Sequence, residues 1–136
     1  LSVDDYRAIA LPATQRAIEV FREKSERRVP LIHYAKGSGH LHGLIRSLDI
    51  DAVSLDWRDD LRANRKAHGD QFAFQGNLDP SRMHGSPEAA TLAAQRVLDE
   101  AGQAPGHVFN LGHGFAPGAQ IDCVEAVLRL ITGDSA

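Results

Sequence analysis

The sequence predicts an α/β fold built on a parallel sheet, and three observations predict it. Short apolar runs alternate along the chain with segments of helical periodicity. The runs are apolar at successive positions rather than at alternate ones, as in strands covered on both faces. Capping residues, glycines and prolines separate the segments, so the order reads as one helix followed by four strand–helix units.

Each element has its own signal. Ser2, with Asp5 three residues on, opens a helix as in a capping box. Tyr6, Ile9, Ala13, Ala17 and Val20 continue it at helical spacing, and Pro12 predicts a kink or break. This leading helix is expected over 2–27, and the four units over 29–133. "VPLIHYA", 29 to 35, reads as the first strand, with Gly37 and Gly39 after it. "HLHGLIRSLD" follows as a helix weakened by Gly43. "DAVSLDW", 51 to 57, is the second strand, and "RDDLRANRKAHG" a short helix ending at Gly69. "QFAFQGNL", 71 to 78, is the third strand. Ser86-Pro87-Glu88 is a strong helix start, and that helix stops at Gly102. "HVFNLG", 107 to 112, is the fourth strand. Ile121, Val124, Leu128 and Ile131 mark a last amphipathic helix ending at Gly133.

Composition narrows the function classes. The 136 residues suffice for one domain with a core. A hydrophobic fraction of 43% and a charged fraction of 24% are ordinary for a globular protein. With a net charge of −3 and no basic stripe, nothing points to nucleic acid. No apolar run approaches a membrane span, and "LSVDDYRAIA" has no signal-peptide character. Cys123 is the one cysteine, which excludes an intrachain disulfide and fits a reducing, cytoplasmic setting. The chain opens on Leu1 rather than methionine, a hint that it begins inside a longer one.

Four units are half of an eight-unit barrel, and a flavodoxin-like open sheet normally has five strands. Composition leaves both architectures open. The polar residues add a location. "KGSGH", "DWR", "NLDP" and "GHG" follow the four strands in turn, and such strand ends are where α/β folds build sites. "HGDQ" and "GQAPG", at the other end, read as plain connectors.

Among these residues His113 is the leading candidate, a titratable side chain set between Gly112 and Gly114. The plain alternative is a turn histidine between flexible glycines. Lys36 is a candidate to neutralise a carboxylate, or else a solvated loop lysine. Asn77 is a candidate contact whose structural alternative is to fix its loop, with Asp79 capping the next turn. Asp56 and Trp57 either line the mouth of a cavity or pack under the next helix. His33 reads as a core histidine. His40 and His42, two apart on a helix, do not share a face as metal ligands would. His68, His84 and His107 read as surface loop residues, and no metal site assembles.

"IHYAKGSGHL", "SLDWR", "QGNLDP" and "FNLGHGFAPG", in this order and spacing, resemble the C-terminal part of the uroporphyrinogen decarboxylase family. "LSVDDYRAIALPATQRAI" is similar to the segment that precedes them there. The resemblance covers essentially the whole of 1–136 and implies a single partial domain, the C-terminal (β/α)4 portion of a TIM-type (β/α)8 barrel. It implies a homodimeric enzyme without metal or organic cofactor that removes CO₂ from the four acetate arms of uroporphyrinogen, giving coproporphyrinogen on the route to haem. The chemistry begins with protonation of a pyrrole α-carbon, after which the C–C bond electrons flow into the cationic ring. The family's substrate-binding arginines, its central aspartate, its tyrosine and its mid-chain serine or threonine have no counterpart here. Only the histidine of the last motif carries over, onto His113, where it would contact a substrate carboxylate. The segment is therefore expected to be inactive without the missing N-terminal part of the barrel. Zinc-dependent methyltransferase relatives place a cysteine where this chain has Ala35, so that branch does not fit.

A second hypothesis is a non-catalytic half-barrel that serves as an interaction or assembly module. Half a barrel leaves two unpaired strand edges and an uncovered interior, so it should pair with another chain or with itself.

Overall fold

The computed structural model describes residues 1–133. Its centre is a four-stranded parallel sheet in the order β1-β2-β3-β4, with β1 at Ile32–Tyr34, β2 at Ala52–Ser54, β3 at Ala73–Gln75 and β4 at His107–Val108. Helices follow every strand: α2 (His42–Ile45), α3 (Leu61–His68), α4 (Pro87–Ala101) and α5 (Ile121–Thr132). The strand order never reverses. A doubly wound sheet needs such a reversal, whereas a barrel lays successive strands side by side. The arrangement is that of part of a barrel wall.

The two faces of the sheet differ sharply. Val53 and Phe74 are register neighbours on the outer face, and both are buried in the core, Phe74 at 1% exposure. On the inner face lie Ile32 and Val108, which are 51% and 48% exposed, and Tyr34, which aligns with Ser54 and then Gln75. Apolar residues on both sides of the strands made the runs look uniformly buried in the sequence. The structure buries one side only and leaves the barrel-interior side open.

Helix starts follow the sequence closely, because caps are local. Ser2, Asp60 and Ser86 accept hydrogen bonds from the backbone N–H groups of Asp5, Ala63 and Ala89. The first helix, α1, departs from its predicted face. It is α-helical over Val3–Asp5, widens to π-helix over Tyr6–Ala10 and resumes over Leu11–Lys24. Pro12 lacks the N–H an α-helix would use, and the wide turn before it absorbs that loss, with Leu11 N–H bonding to Tyr6 O. The extra residue shifts the buried stripe. Tyr6, Leu11, Ala10 and Ile18 pack on the core, while Ile9, Ala13 and Ala17 face outward.

Two further elements differ from expectation. The helix predicted over 40–49 is a 3₁₀ turn, Gly39–Leu41, and the single α-turn of α2. A side chain at Gly39 would overlap the Asp59 carboxylate, and His42 turns inward to place Nδ1 2.6 Å from Asn64 Oδ1. The last helix buries Cys123 and Val127, whereas Ile121 is 72% exposed and Leu128 and Ile131 are also exposed. His107, expected on a surface loop, is half-buried in β4, with Nε2 2.6 Å from Gly76 O. Burial pushes its imidazole pKa down from the ordinary value. His33 is half-buried on β1, and burial lowers its pKa as well. Among the described residues, no helix is long and apolar enough to cross a membrane.

At the N-terminal end of the sheet an ion-pair cluster fastens α1 to the strands. Asp51 accepts the Leu31 N–H at 2.8 Å and pairs with Arg22 Nη2 at 2.9 Å and Arg28 Nη2 at 3.0 Å. The Leu31 backbone bond, helped by both guanidiniums, holds the Asp51 carboxyl down at about 2. A folded-state pKa below the unfolded value of about 3.9 gives stability that is present above that value and fades as pH falls through the folded one. Asp51→Asn should therefore lower the thermal midpoint at about pH 7, and the gap from the parent should close by about pH 2. Melting curves across that range test it; a gap that does not narrow with acid would contradict the assignment.

Candidate functional site

The C-terminal ends of the four strands converge around one cleft of about 440 Å³, open to the uncovered inner face of the sheet. Tyr34 of β1, Ser54 of β2 and Gln75 of β3 form its floor, and the segment Asn110–Phe115 after β4 forms its wall. Gln75 Nε2 donates to Ser54 Oγ at 3.1 Å, so the floor is polar but internally tied.

His113 stands at the mouth of this cleft, exposed to solvent. Two rings flank it: Trp57 at 5.9 Å with planes 86° apart, and Tyr34 at 6.4 Å and 65°. Edge-to-face contacts of this kind orient a ring without using its polar atoms. Among the described residues no protein group hydrogen-bonds either imidazole nitrogen, so both remain available to a ligand.

The two glycines beside it serve different ends. A side chain at Gly112 would overlap the Trp57 backbone, so glycine is required there by the close approach of two loops. The Gly112 carbonyl also accepts the Tyr34 hydroxyl at 3.2 Å. Gly114 has nothing within 4 Å of where a Cβ would lie, and its surroundings are open.

The loop after β2 is the frame of the site. Asp56 is wholly buried at 0% exposure, and its carboxylate accepts four N–H groups. These are Gly37 N at 3.0 Å, Arg58 N at 3.0 Å, Arg58 Nε at 2.8 Å and Arg58 Nη2 at 2.7 Å. The Arg58 side chain, above all, holds the Asp56 carboxyl down at about 2, against the opposing effect of burial. Trp57 is half-buried beside His113, with Lys36 Nζ 5.4 Å and Arg58 Cζ 4.8 Å from its ring centroid. Asp56 packs inside, whereas Trp57 stands against His113 and lines a neighbouring recess rather than this cleft.

The other sequence candidates are spread around this frame. Lys36 is exposed on the indole, next to the site rather than in the cleft. Asn77 is buried, and its amide donates to the carbonyls of Asp56 at 2.9 Å and Asp59 at 2.7 Å, bracing the β2 loop from below. Asp79 accepts the Ser81 N–H at 2.9 Å and caps the 3₁₀ turn Pro80–His84. Sequence reasoning passed over Arg58, because "DWRDD" gives no sign of which acid will be buried and which arginine will partner it. Among the described residues no three His, Cys, Asp or Glu side chains are grouped so as to hold a metal ion.

Comparison with known proteins bears directly on this arrangement. The model of the uroporphyrinogen decarboxylase (URO-D) family matches residues 1–133. The uroporphyrinogen decarboxylase of Coxiella burnetii (strain Dugway 5J108-111) is 42% identical over 127 residues, covering 93% of this chain and 35% of that protein. That of Aromatoleum aromaticum is 44% identical over 132 residues, covering 96% of this chain and 36% of that protein. That of Azoarcus sp. (strain BH72) is 46% identical over 112 residues, covering 82% and 31%. The chain spans about a third of the length of these curated relatives. With a sheet laid out as a barrel wall and a family match along its described length, this chain belongs to the uroporphyrinogen decarboxylase family.

Proposed function

We propose that this segment forms one wall of the substrate cleft of a uroporphyrinogen decarboxylase and that His113 binds a substrate carboxylate there. The observation that carries the reading is the state of His113. It sits at the strand-end cleft, oriented by Tyr34 and Trp57, with no protein hydrogen bond on its imidazole among the described residues. A histidine kept in place by ring contacts alone is ready to hydrogen-bond an incoming anion. The reaction is loss of CO₂ from the acetate arms of uroporphyrinogen, without a metal or organic cofactor. The open inner face fits a remaining barrel part that supplies the other wall and the groups that protonate the pyrrole. On this reading the working enzyme is a cytoplasmic homodimer, and the segment by itself does not turn over substrate.

A second reading draws on the exposed apolar side chains Ile32, Val108 and Phe115, which favour a covering partner of some kind. A half-barrel acting only as an assembly module would keep these contacts and need no porphyrinogen. The two readings part on one experiment: CO₂ release from uroporphyrinogen by the full-length protein that carries this segment. Turnover supports the enzyme; tight self-association of the segment with no porphyrinogen binding supports the module.

Two predictions follow from the geometry. His113→Ala in the full-length protein should lower turnover by an order of magnitude or more, as expected for losing a charge-assisted hydrogen bond of about 1.5–3 kcal/mol. Its thermal midpoint should stay close to the parent's, since His113 is exposed and its contacts are ring edges. Unchanged kinetics would sink the assignment. Gly112→Ala should destabilise by about 1–3 kcal/mol, because the new methyl overlaps the Trp57 backbone. Gly114→Ala, into open space, should change stability by less than about 0.5 kcal/mol. Thermal melts of the pair check the contrast.

A further inference from the structure

We propose that Asn110 is a second receptor for the carboxylate that meets His113, the two side chains taking its two oxygens from one wall of the cleft. The inference rests on the decarboxylase reading above.

Strand alternation sets where Asn110 faces. Phe109 and Leu111 both pack against the core. Asn110 lies between them, so its side chain points to the opposite, inner face, as that of exposed Val108 does two residues earlier. The pairing of β4 with the chain after β3 continues past both strands. Leu78 N–H donates to Asn110 O at 3.0 Å, Gly112 N–H donates to Leu78 O at 2.8 Å, and Leu78 and Leu111 form a parallel bridge. Asn110 therefore leaves from a fixed backbone and lines the same cleft as His113, three residues on. Its amide is oriented too. Asn110 Oδ1 accepts the Leu111 N–H at 2.8 Å, a bond that only the carbonyl end of the side chain can accept. The two N–H donors on Nδ2 are left with no protein acceptor among the described residues.

The chemistry of the cleft gives these donors their meaning. Among the described residues no Asp or Glu lines it, so an entering carboxylate meets no like charge there. No Lys or Arg lines it either, so the anion has to be held by His113 and by neutral donors. On the floor, the Tyr34 hydroxyl gives its proton to Gly112 O, and Gln75 Nε2 gives an N–H to Ser54 Oγ. On the wall, the nitrogens of Asn110 and His113 are uncommitted among the described residues. A carboxylate has two oxygens, each able to accept. One imidazole N–H occupies the first and leaves the group free to swing about that bond. An amide N–H on the second fixes the plane of the carboxylate and thereby the arm that carries it.

The competing account is that Asn110 only fixes its own turn through the Leu111 N–H. Two variants of the full-length protein separate the accounts, because they rank in opposite orders. Asn110→Asp keeps the oxygen that accepts the Leu111 N–H and replaces the NH₂ with a second oxygen, so the turn survives and a donor becomes a like charge. Asn110→Ala removes both ends. The receptor predicts that kcat/KM on uroporphyrinogen falls about tenfold in Asn110→Ala and further in Asn110→Asp, whose thermal midpoint stays close to the parent's. A purely structural role predicts the reverse, with Asn110→Asp near the parent and Asn110→Ala below it, and that order overturns the proposal. If Asn110→Ala does not fold, Asn110→Asp decides alone: a fall of about tenfold or more at an unchanged midpoint supports the receptor, and a smaller fall overturns it. The shared carboxylate is tested by placing Asn110→Asp in the His113→Ala background. There it should cost clearly less than in the parent, and a fully additive loss overturns the pairing. A parent protein that releases no CO₂ from uroporphyrinogen overturns the decarboxylase reading itself and this inference with it. A parent that turns over normally, with kcat/KM indifferent to Asn110→Asp, overturns the receptor alone.

Discussion

Asp56 lies at the end of β2 with its carboxylate wholly buried, and the geometry around His113 depends on how that charge is satisfied. Taking a carboxylate out of water costs several kcal/mol unless its lone pairs are filled. Here four N–H groups fill them, one from the loop after β1 and three from Arg58. The backbone of Asp56 is held as well, by the Asn77 amide from the loop after β3. Three strand-end loops are thereby fixed to one residue. Trp57 follows Asp56 directly, and the close approach of its backbone to Gly112 brings in the fourth loop and with it His113. Since the Asp56 carboxyl is held near 2, the frame stays charged and intact throughout the neutral range.

Asp51 provides the contrast at the other end of the same strand. It too accepts a backbone N–H and pairs with arginines, and its carboxyl is held equally low. Yet its partners Arg22 and Arg28 come from α1 and the segment after it, and the recess that Arg22 lines lies against α1, away from the strand-end cleft. Similar chemistry thus does two jobs along β2: it secures the N-terminal end of the barrel wall and shapes the C-terminal end. That division matches the general polarity of barrels, in which the C-terminal ends of strands carry sites and the opposite ends carry stability.

What was legible in the sequence was what is decided locally. Ser2 and Ser86 cap helices because a side-chain oxygen needs only the next turn to act on. The strand ends were legible too, because "DWR" and "GHG" close two of the apolar runs. Less legible was anything set by partners distant in sequence. The π-turn at Tyr6–Ala10 shifts the buried face of α1 by one residue, and periodicity counted at a constant step misses it. Ile121, Leu128 and Ile131 look like a core stripe, but the neighbours of α5 bury Cys123 and Val127 instead. His107, at the very start of the predicted fourth strand, passed for a surface residue, whereas its imidazole is secured by Gly76, far away in the chain. The Asp56–Arg58 pair is local in sequence, but its burial comes from the loops that close over it.

On the proposed reading, the openness of the inner face explains why a well-formed wall would not by itself be a working site. In water, a histidine–carboxylate hydrogen bond gains little, because both groups exchange it for bonds to solvent. The same bond strengthens once a barrel closes around it and the local dielectric falls. His113 is exposed, and the cleft before it is bounded on one side by strands whose interior residues Ile32 and Val108 are half in water. The segment therefore presets geometry rather than supplying binding strength: Tyr34 and Trp57 aim the imidazole, and Asp56 fixes the loop from which Trp57 does so. The low dielectric must come from whatever covers the open face, and on the proposed reading that is the remainder of the decarboxylase barrel. On that reading such a division would make each part weak alone and strong together, since the aimed side chain and the dry cavity would act on a carboxylate only in combination.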